Sequence, residues 1–351
     1  MRNIIYILAL ILVIITSASG HAYSKEFRAG VLYWSQNIEG QVAMSKGLED
    51  EAAKINKEAA LRGKPAVKLE IKVAGDGQRG IENQVKQMYD LISSGVDIII
   101  VQPTDNAALA EPLKLANKLK IPVVAYDQYI SGGTLAAYRT SDNYQGGYIA
   151  GEYIASKFAG KKTINLVLVE YPHVSSTVER VNGFLDGLSQ SKISYKVLKS
   201  YLAVEPVSGK KAALGILKDF PERGSIDVIF TVNDGGGLAV ARQLNEAGRN
   251  EIKIATFDGD PQSIENIKNG ILTVIDSAQF CGPLGAEAMK AAYSILTGEK
   301  TAFHAVVPTF PVTLETLKMY PGWHGPIPAE FKKTWKSVSP NWNGSLRIIK
   351  P

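Results

Sequence analysis

The sequence predicts an α/β chain of doubly wound design, divided into two lobes. Three observations carry this. Short apolar runs such as Ile98-Ile99-Ile100-Val101 and Val123-Val124-Ala125-Tyr126 read as strands buried on both faces, the pattern of a parallel sheet. Such runs alternate with segments of helical period along most of the chain. The length of 351 residues favours two cores over one, at roughly 100–200 residues per domain.

Taken in order, the chain opens on a targeting segment. Arg2 supplies a positive start, positions 4–15 are apolar, and small residues follow, so residues 1–22 read as a secretory signal peptide. Cleavage is expected at Gly20-His21-Ala22 or Ala18-Ser19-Gly20. The apolar run falls short of the roughly 20 residues a membrane span needs, which favours a leader over an uncleaved anchor. Cys281 is the single cysteine, so the chain has no internal disulfide and must be stabilised by its core. Cys281 itself reads as a small buried apolar residue. With no cysteine after the apolar run to carry a lipid, the expected address is the periplasm, in soluble form.

Residues 27–34 form a strand, 35–40 a polar loop, and a helix follows from about Gln41, with Val42, Met44, Leu48 and Ala52 on its apolar side. Residues 67–73 alternate as a strand. From Ile81, apolar side chains recur at Val85, Met88, Leu91 and Ile92, which is helical spacing. After the strand at 98–101, a third helix carries Pro112, which demands a late start or a kink. The strand ending at Tyr126 closes a βαβ unit. A turn at Ser131-Gly132-Gly133 and a short extended piece at 136–139 lead to Ser141-Asp142-Asn143, which caps a helix over 144–158. A second β/α series then runs through strands at 163–170, 195–201, 227–232, 252–257 and 271–275. Helices at 177–189, 210–219, 236–247, 264–268 and 285–296 separate or follow them. The last residues, with Pro321, Pro326, Pro328, Pro340, Trp323, Trp335 and Trp342, read as a tail wrapped on the surface and pinned by its aromatics.

Composition bounds the function. The chain is 45% hydrophobic and 21% charged, ordinary globular values. Its net charge of +5 is spread out, without a basic block interleaved with aromatics, so nucleic acid is not an expected partner. His173 and His304 stand alone and no Cys/His cluster exists, so no metal site is expected. Gly235-Gly236-Gly237 lacks the spacing of a phosphate-cradling loop and reads as a flexible helix start; no cofactor is implied.

The informative residues stand at strand ends. Gln102, Asp127-Gln128, Asn233-Asp234, Asp258 and Gln279 are amides or carboxylates at the carboxyl ends of expected strands, where open α/β sheets bind ligands. Arg180 follows another strand. Amides both donate and accept, and a carboxylate accepts two hydroxyl hydrogens at once, so such a ring suits a polyol. Each residue alone could equally be a helix cap or turn former.

The chain resembles the periplasmic sugar-binding proteins of ABC transporters, the ribose/galactose-binding (type I) family. The likeness spans roughly residues 27–308. It rests on Gly95 to Pro103-Thr104-Asp105, Ile121-Pro122-Val123 to Asp127, Ser141-Asp142-Asn143 with Gly146-Gly147 and Ala150-Gly151, Glu179-Arg180 with Gly183-Phe184, Val232-Asn233-Asp234, Phe257-Asp258-Gly259, and Gln279. The resemblance implies two Rossmann-like lobes joined by a three-strand hinge, with ligand gripped as the lobes close. It assigns 26–140 with 278–306 to the first lobe and 141–277 with 307–318 to the second, leaving 319–351 as the tail.

The resemblance also implies the site residues. Gln102, Asp127, Gln128 and Gln279 are expected from the first lobe, and Arg180, Asn233 and Asp258 from the second. Gln102 stands where ribose binders carry Asn, and Gln128 where they carry Arg. In the first loop, the positions where pentose binders place Asn and aromatic residues fall near Glu39, Gln41 and Val42 here; Ser35 is a further candidate, and Trp34 or Tyr33 a stacking face. Tyr126, Tyr129 and Tyr171 are further aromatic candidates. The expected function is capture of a sugar or polyol and delivery to a membrane ABC permease, by a monomer. The alternative is a sensory binding protein that presents a signal to a histidine kinase or chemoreceptor. A third reading is an exported glycosidase using Asp258 and Asp260 as paired acids.

Overall fold

The computed structural model describes residues 26–350; the expected signal peptide lies outside them. Two parallel sheets, each flanked by helices, account for most of the chain.

The first sheet is built from β1 (Phe27–Tyr33), β2 (Val67–Val73), β3 (Ile98–Val101), β4 (Val123–Tyr126) and β5 (Ala137–Ser141). Between them run α1 (Glu39–Arg62), α2 (Gly77–Ser94) and α3 (Ala110–Lys118). All four residues of β3 and of β4 are buried, as strands covered on both faces must be. The third helix starts late, at Ala110, which puts Pro112 in its first turn, where a missing N–H costs nothing.

The chain then crosses to α4 (Asn143–Lys157), whose first turn is capped by Asp142 accepting from the Gln145 N–H. The second sheet follows as β6 (Thr163–Glu170), α5 (Ser175–Gln190), β7 (Ser194–Leu202), α6 (Pro206–Asp219), β8 (Val228–Thr231), α7 (Asp234–Glu246), β9 (Lys253–Asp258), α8 (Pro261–Lys268) and β10 (Thr273–Ala278). It returns through α9 (Cys281–Leu296) to β11 (His304–Val307) beside β5, and crosses again to β12 (Phe310–Val312) beside β10. The strand expected at 271–275 lies two to three residues later, and the helix expected from Gly285 begins at Cys281. Cys281 is buried, as its apolar reading required.

Strand order is β11-β5-β4-β3-β1-β2 in one sheet and β12-β10-β9-β8-β6-β7 in the other. Three connections pass between the lobes, after Ser141, Ala278 and Val307. Glycines set the helix packing beside these crossings. A Cβ at Gly147 on α4 would overlap the Arg180 carbonyl oxygen on α5, so the bare glycine lets the two helices touch backbone to backbone and fixes where Arg180 sits.

The tail is tied down by aromatic side chains and adds short strands of its own. Phe331–Lys332 (β13) pairs with Asn341–Trp342 (β14), and Arg347–Ile349 (β15) joins the first sheet as an antiparallel edge on β11. Trp342 is fully buried; its Nε1 donates to the Thr309 carbonyl at 2.7 Å, and its ring packs on Phe310 and Phe331. Lys333 forms a buried ion pair with Glu152 of α4 at 3.1 Å. Among the described residues, no helix is long and apolar enough to cross a membrane.

Candidate ligand-binding site

Asp127 follows β4 directly, and Asp258 is the last residue of β9. Both hold positive φ, +62° and +119°. A non-glycine residue pays about 1–3 kcal/mol for such a backbone, so the surroundings must hold it there. At Asp127 the backbone N–H donates to the Arg139 carbonyl at 2.7 Å. At Asp258 the carbonyl accepts from the Gln279 N–H at 2.9 Å and from Trp323 Nε1 at 2.7 Å.

The two carboxylates anchor two polar groups that face each other across the lobes. Asp127 Oδ2 accepts from Gln102 Nε2 at 2.9 Å and from Gln128 Nε2 at 3.1 Å. Asp258 Oδ1 accepts from Arg180 Nη1 at 2.9 Å and from Gln279 Nε2 at 2.7 Å. Arg180 also donates to Asn143 Oδ1 and to the Val232 carbonyl, both at 2.9 Å, and lies 3.8 Å over the Phe257 ring. Gln128 reaches across the gap, its Oε1 accepting from the Ser176 N–H at 3.3 Å.

Around these residues the lobes enclose a cleft with about 20 Å³ of free space, room for one water. Its walls are Trp34, Ile38, Gly40, Gln41, Met44, Asp127, Gln128 and Gln279 on one side, and Val174, Ser176, Thr177, Arg180, Val204, Asn233 and Asp258 on the other. Three buried atoms of these walls have no hydrogen-bond partner among the described residues: Asp127 Oδ1, Gln41 Oε1 and Ser176 Oγ. Orphaned buried polar atoms are costly, and three belong to residues of this one cleft. Burial pushes the Asp258 carboxyl up to about 7 against the pull of Arg180. Burial raises Asp127 as well, with Arg180 the main opposing charge.

A family model described as "Periplasmic binding protein domain" matches residues 29–300. The chain belongs to the periplasmic binding protein family. The ribose import binding protein of Bacillus subtilis (strain 168) is 30% identical over 86% of this chain and 90% of its own length. That of Salmonella typhimurium is 31% identical over 64% of this chain and 74% of its own. Among solved structures, a Caulobacter myo-inositol binding protein bound to myo-inositol superposes with a TM-score of 0.72, at 25% identity, covering 84% of this chain and 95% of that one. A glucose-galactose binding protein from Geobacillus stearothermophilus gives 0.73 at 20% identity, covering 85% and 100%, which speaks for the fold alone.

Within this periplasmic binding protein, the structure brings Trp34, Gln41, Asp127, Gln128, Arg180, Asn233, Asp258 and Gln279 together on one cleft. Three expected residues are placed differently. Gln102 is fully buried one layer behind, between Asp127 and the Trp34 N–H, so it orients the carboxylate rather than lining the cleft. Ser35 uses its Oγ to accept from the Asn37 N–H, a local turn bond. Glu39 is exposed at the start of α1, lining a neighbouring chamber, because the buried residue preceding the helix is Ile38.

The aromatic candidates divide likewise. Trp34 lines the cleft and packs against Tyr171 at 6.3 Å. Tyr33 points into the lobe, its OH on Glu49, and Tyr126 is buried in the core; Tyr129 packs edge-on against Tyr138. Asp260 serves as a helix cap. Its Oδ1 caps α8 through the Gln262 N–H at 2.8 Å. Asn233 caps α7 through the Gly236 N–H at 3.2 Å, so it serves as cap and cleft wall at once. Ile38, Met44, Val174 and Val204 reach the cleft as apolar contacts.

Proposed function

We propose that this protein captures a neutral sugar or related polyol between its lobes and delivers it to an ABC permease in the membrane. The observation that carries this is the pair Asp127 and Asp258 on one cleft, Asp127 braced by two amides and Asp258 by Gln279 and Arg180, with orphaned polar atoms on residues of the same walls. A hydroxylated ring supplies hydrogen-bond donors to both walls at once, and Trp34 offers it an aromatic face. Because the free space is about 20 Å³, the ring enters with the lobes parted, and closure about the three crossings buries it. Export by the N-terminal leader puts this capture in the periplasm. The relatives are import binding proteins, and a solved neighbour carries myo-inositol, which supports delivery to a permease over presentation to a sensor.

The test is a thermal-shift series on the chain from residue 26 with ribose, allose, galactose, glucose and myo-inositol. A ligand that binds the folded state alone raises Tm by mass action. A dose-dependent rise with one of them supports the reading; flat melting curves with all of them, at concentrations up to tens of millimolar, count against it.

A further inference from the structure

Next to the cleft lies a much larger space. It encloses about 480 Å³ by the same measure that gives about 20 Å³ for the cleft, within the range of small-molecule sites. The two are neighbours: Ile38, Gly40 and Asp258 line both. Both lobes build it: Glu39 at the start of α1 on one side, Arg242 on α7 and Asp260 and Asn266 at α8 on the other. The tail supplies its aromatic wall, Trp323. That indole is fixed beside Asp258, which lines both spaces, with Nε1 on the Asp258 carbonyl at 2.7 Å and the Trp323 backbone oxygen accepting from the Gly282 N–H at 3.0 Å.

We infer that the ligand is larger than one ring: a glycoside whose first unit sits between Asp127 and Asp258 and whose second glycosyl group occupies the chamber beside Trp323. This rests on the sugar reading above. Amides and carboxylates around one indole match a second hydroxylated ring, with polar edges and an apolar face. Asp258 is paired with Arg180, but Glu39 and Asp260 still outnumber Arg242, so the chamber disfavours an anionic substituent such as a phosphate or a sugar acid. Because α1 and α7 both line the chamber, its occupant would help hold the lobes together.

The experiment is calorimetric titration with matched pairs: melibiose against galactose and glucose, maltose against glucose, and galactinol against galactose and myo-inositol. Each is measured on the parent and on Arg242→Trp, which fills the chamber from an exposed position and leaves the cleft walls untouched; Gln262→Trp is the second filling variant. The expected result is one disaccharide binding at least tenfold tighter than either of its units, with that advantage lost in a filling variant that still binds the single ring like the parent. The inference is overturned if every single ring binds at least as tightly as the disaccharides containing it, or if both filled variants keep the disaccharide advantage; the sugar reading then stands. Should neither class bind, the sugar reading itself falls, and this inference with it.

Discussion

Arg180 and Asp258 form a buried ion pair at 2.9 Å, with both side chains less than a tenth exposed. The pair joins α5 to the end of β9 in the candidate cleft. Its position follows from the glycine contact between α4 and α5, which leaves no gap between the helices and sets the register of Arg180. A buried charge pair is weak evidence of stabilisation, but breaking it by removing one partner is costly.

Arg180→Met is therefore expected to destabilise the fold by about 3–5 kcal/mol, because Asp258 is left buried without its cation. Urea unfolding measures this. A loss well under 1 kcal/mol would mean that Gln279 alone satisfies Asp258.

Asp127→Ala and Asp258→Ala are each expected to weaken sugar binding by about 1–3 kcal/mol, as ligand hydroxyls and the cleft amides lose a shared acceptor. Circular dichroism should report an unchanged fold for Asp127→Ala, whose bracing partners are neutral amides. Gln102→Ala should weaken binding less than Asp127→Ala, since Gln102 acts through that carboxylate.

The pH dependence follows from carboxyls raised by burial. For Asp258 the ordinary value is 3.8 and the folded value about 7. Between these, the folded state keeps a proton that the unfolded chain releases, so this group's stabilisation is full below about pH 4 and is lost as pH rises to about 7. Asp276 and Glu179, both raised to about 6 by burial, act in the same direction. His304, lowered by burial, opposes them below its ordinary value of 6.5. Urea midpoints at pH 5 and pH 7 should differ by less in Asp258→Asn than in the parent. An equal difference would remove Asp258 from the account.

Trp342 anchors the tail against Phe310 and Phe331, with ring centroids 5.1 and 5.3 Å away. Trp342→Ala should cost about 3–5 kcal/mol, the range for truncating a buried large aromatic residue. A Tm within a degree of the parent's would show that the tail is dispensable to the fold.

How much of this was legible in the sequence varied with the physics of each part. The strands β3 and β4 were plain because covered strands must be apolar throughout, and their polar ends exposed Asp127 and Gln128 at once. Asp258 was legible for the same reason, whereas Gln279 stood four residues beyond the expected end of its strand, because Asp276 and Ser277 break the apolar run. The first loop was not legible. One position decides whether a side chain at the start of α1 faces the cleft or the solvent, so Ile38 takes the cleft place expected of Glu39. Met44 and Val204 look like any core residue in a sequence, since the cleft and the core ask for the same apolar surface. Ser176 carries no motif. The tail was least legible: two- and three-residue strands have no readable alternation, and the pairing of β15 with β11 depends on contacts some forty residues apart.

The most direct test of the central claim is calorimetric titration of the chain from residue 26 with the sugar that gives the largest thermal shift, on the parent, Asp127→Ala and Asp258→Ala. The account predicts one site per chain in the parent and at least fivefold weaker binding in each variant. Parent-like affinity in both variants would contradict it, because the ligand would then be held somewhere other than between these two carboxylates.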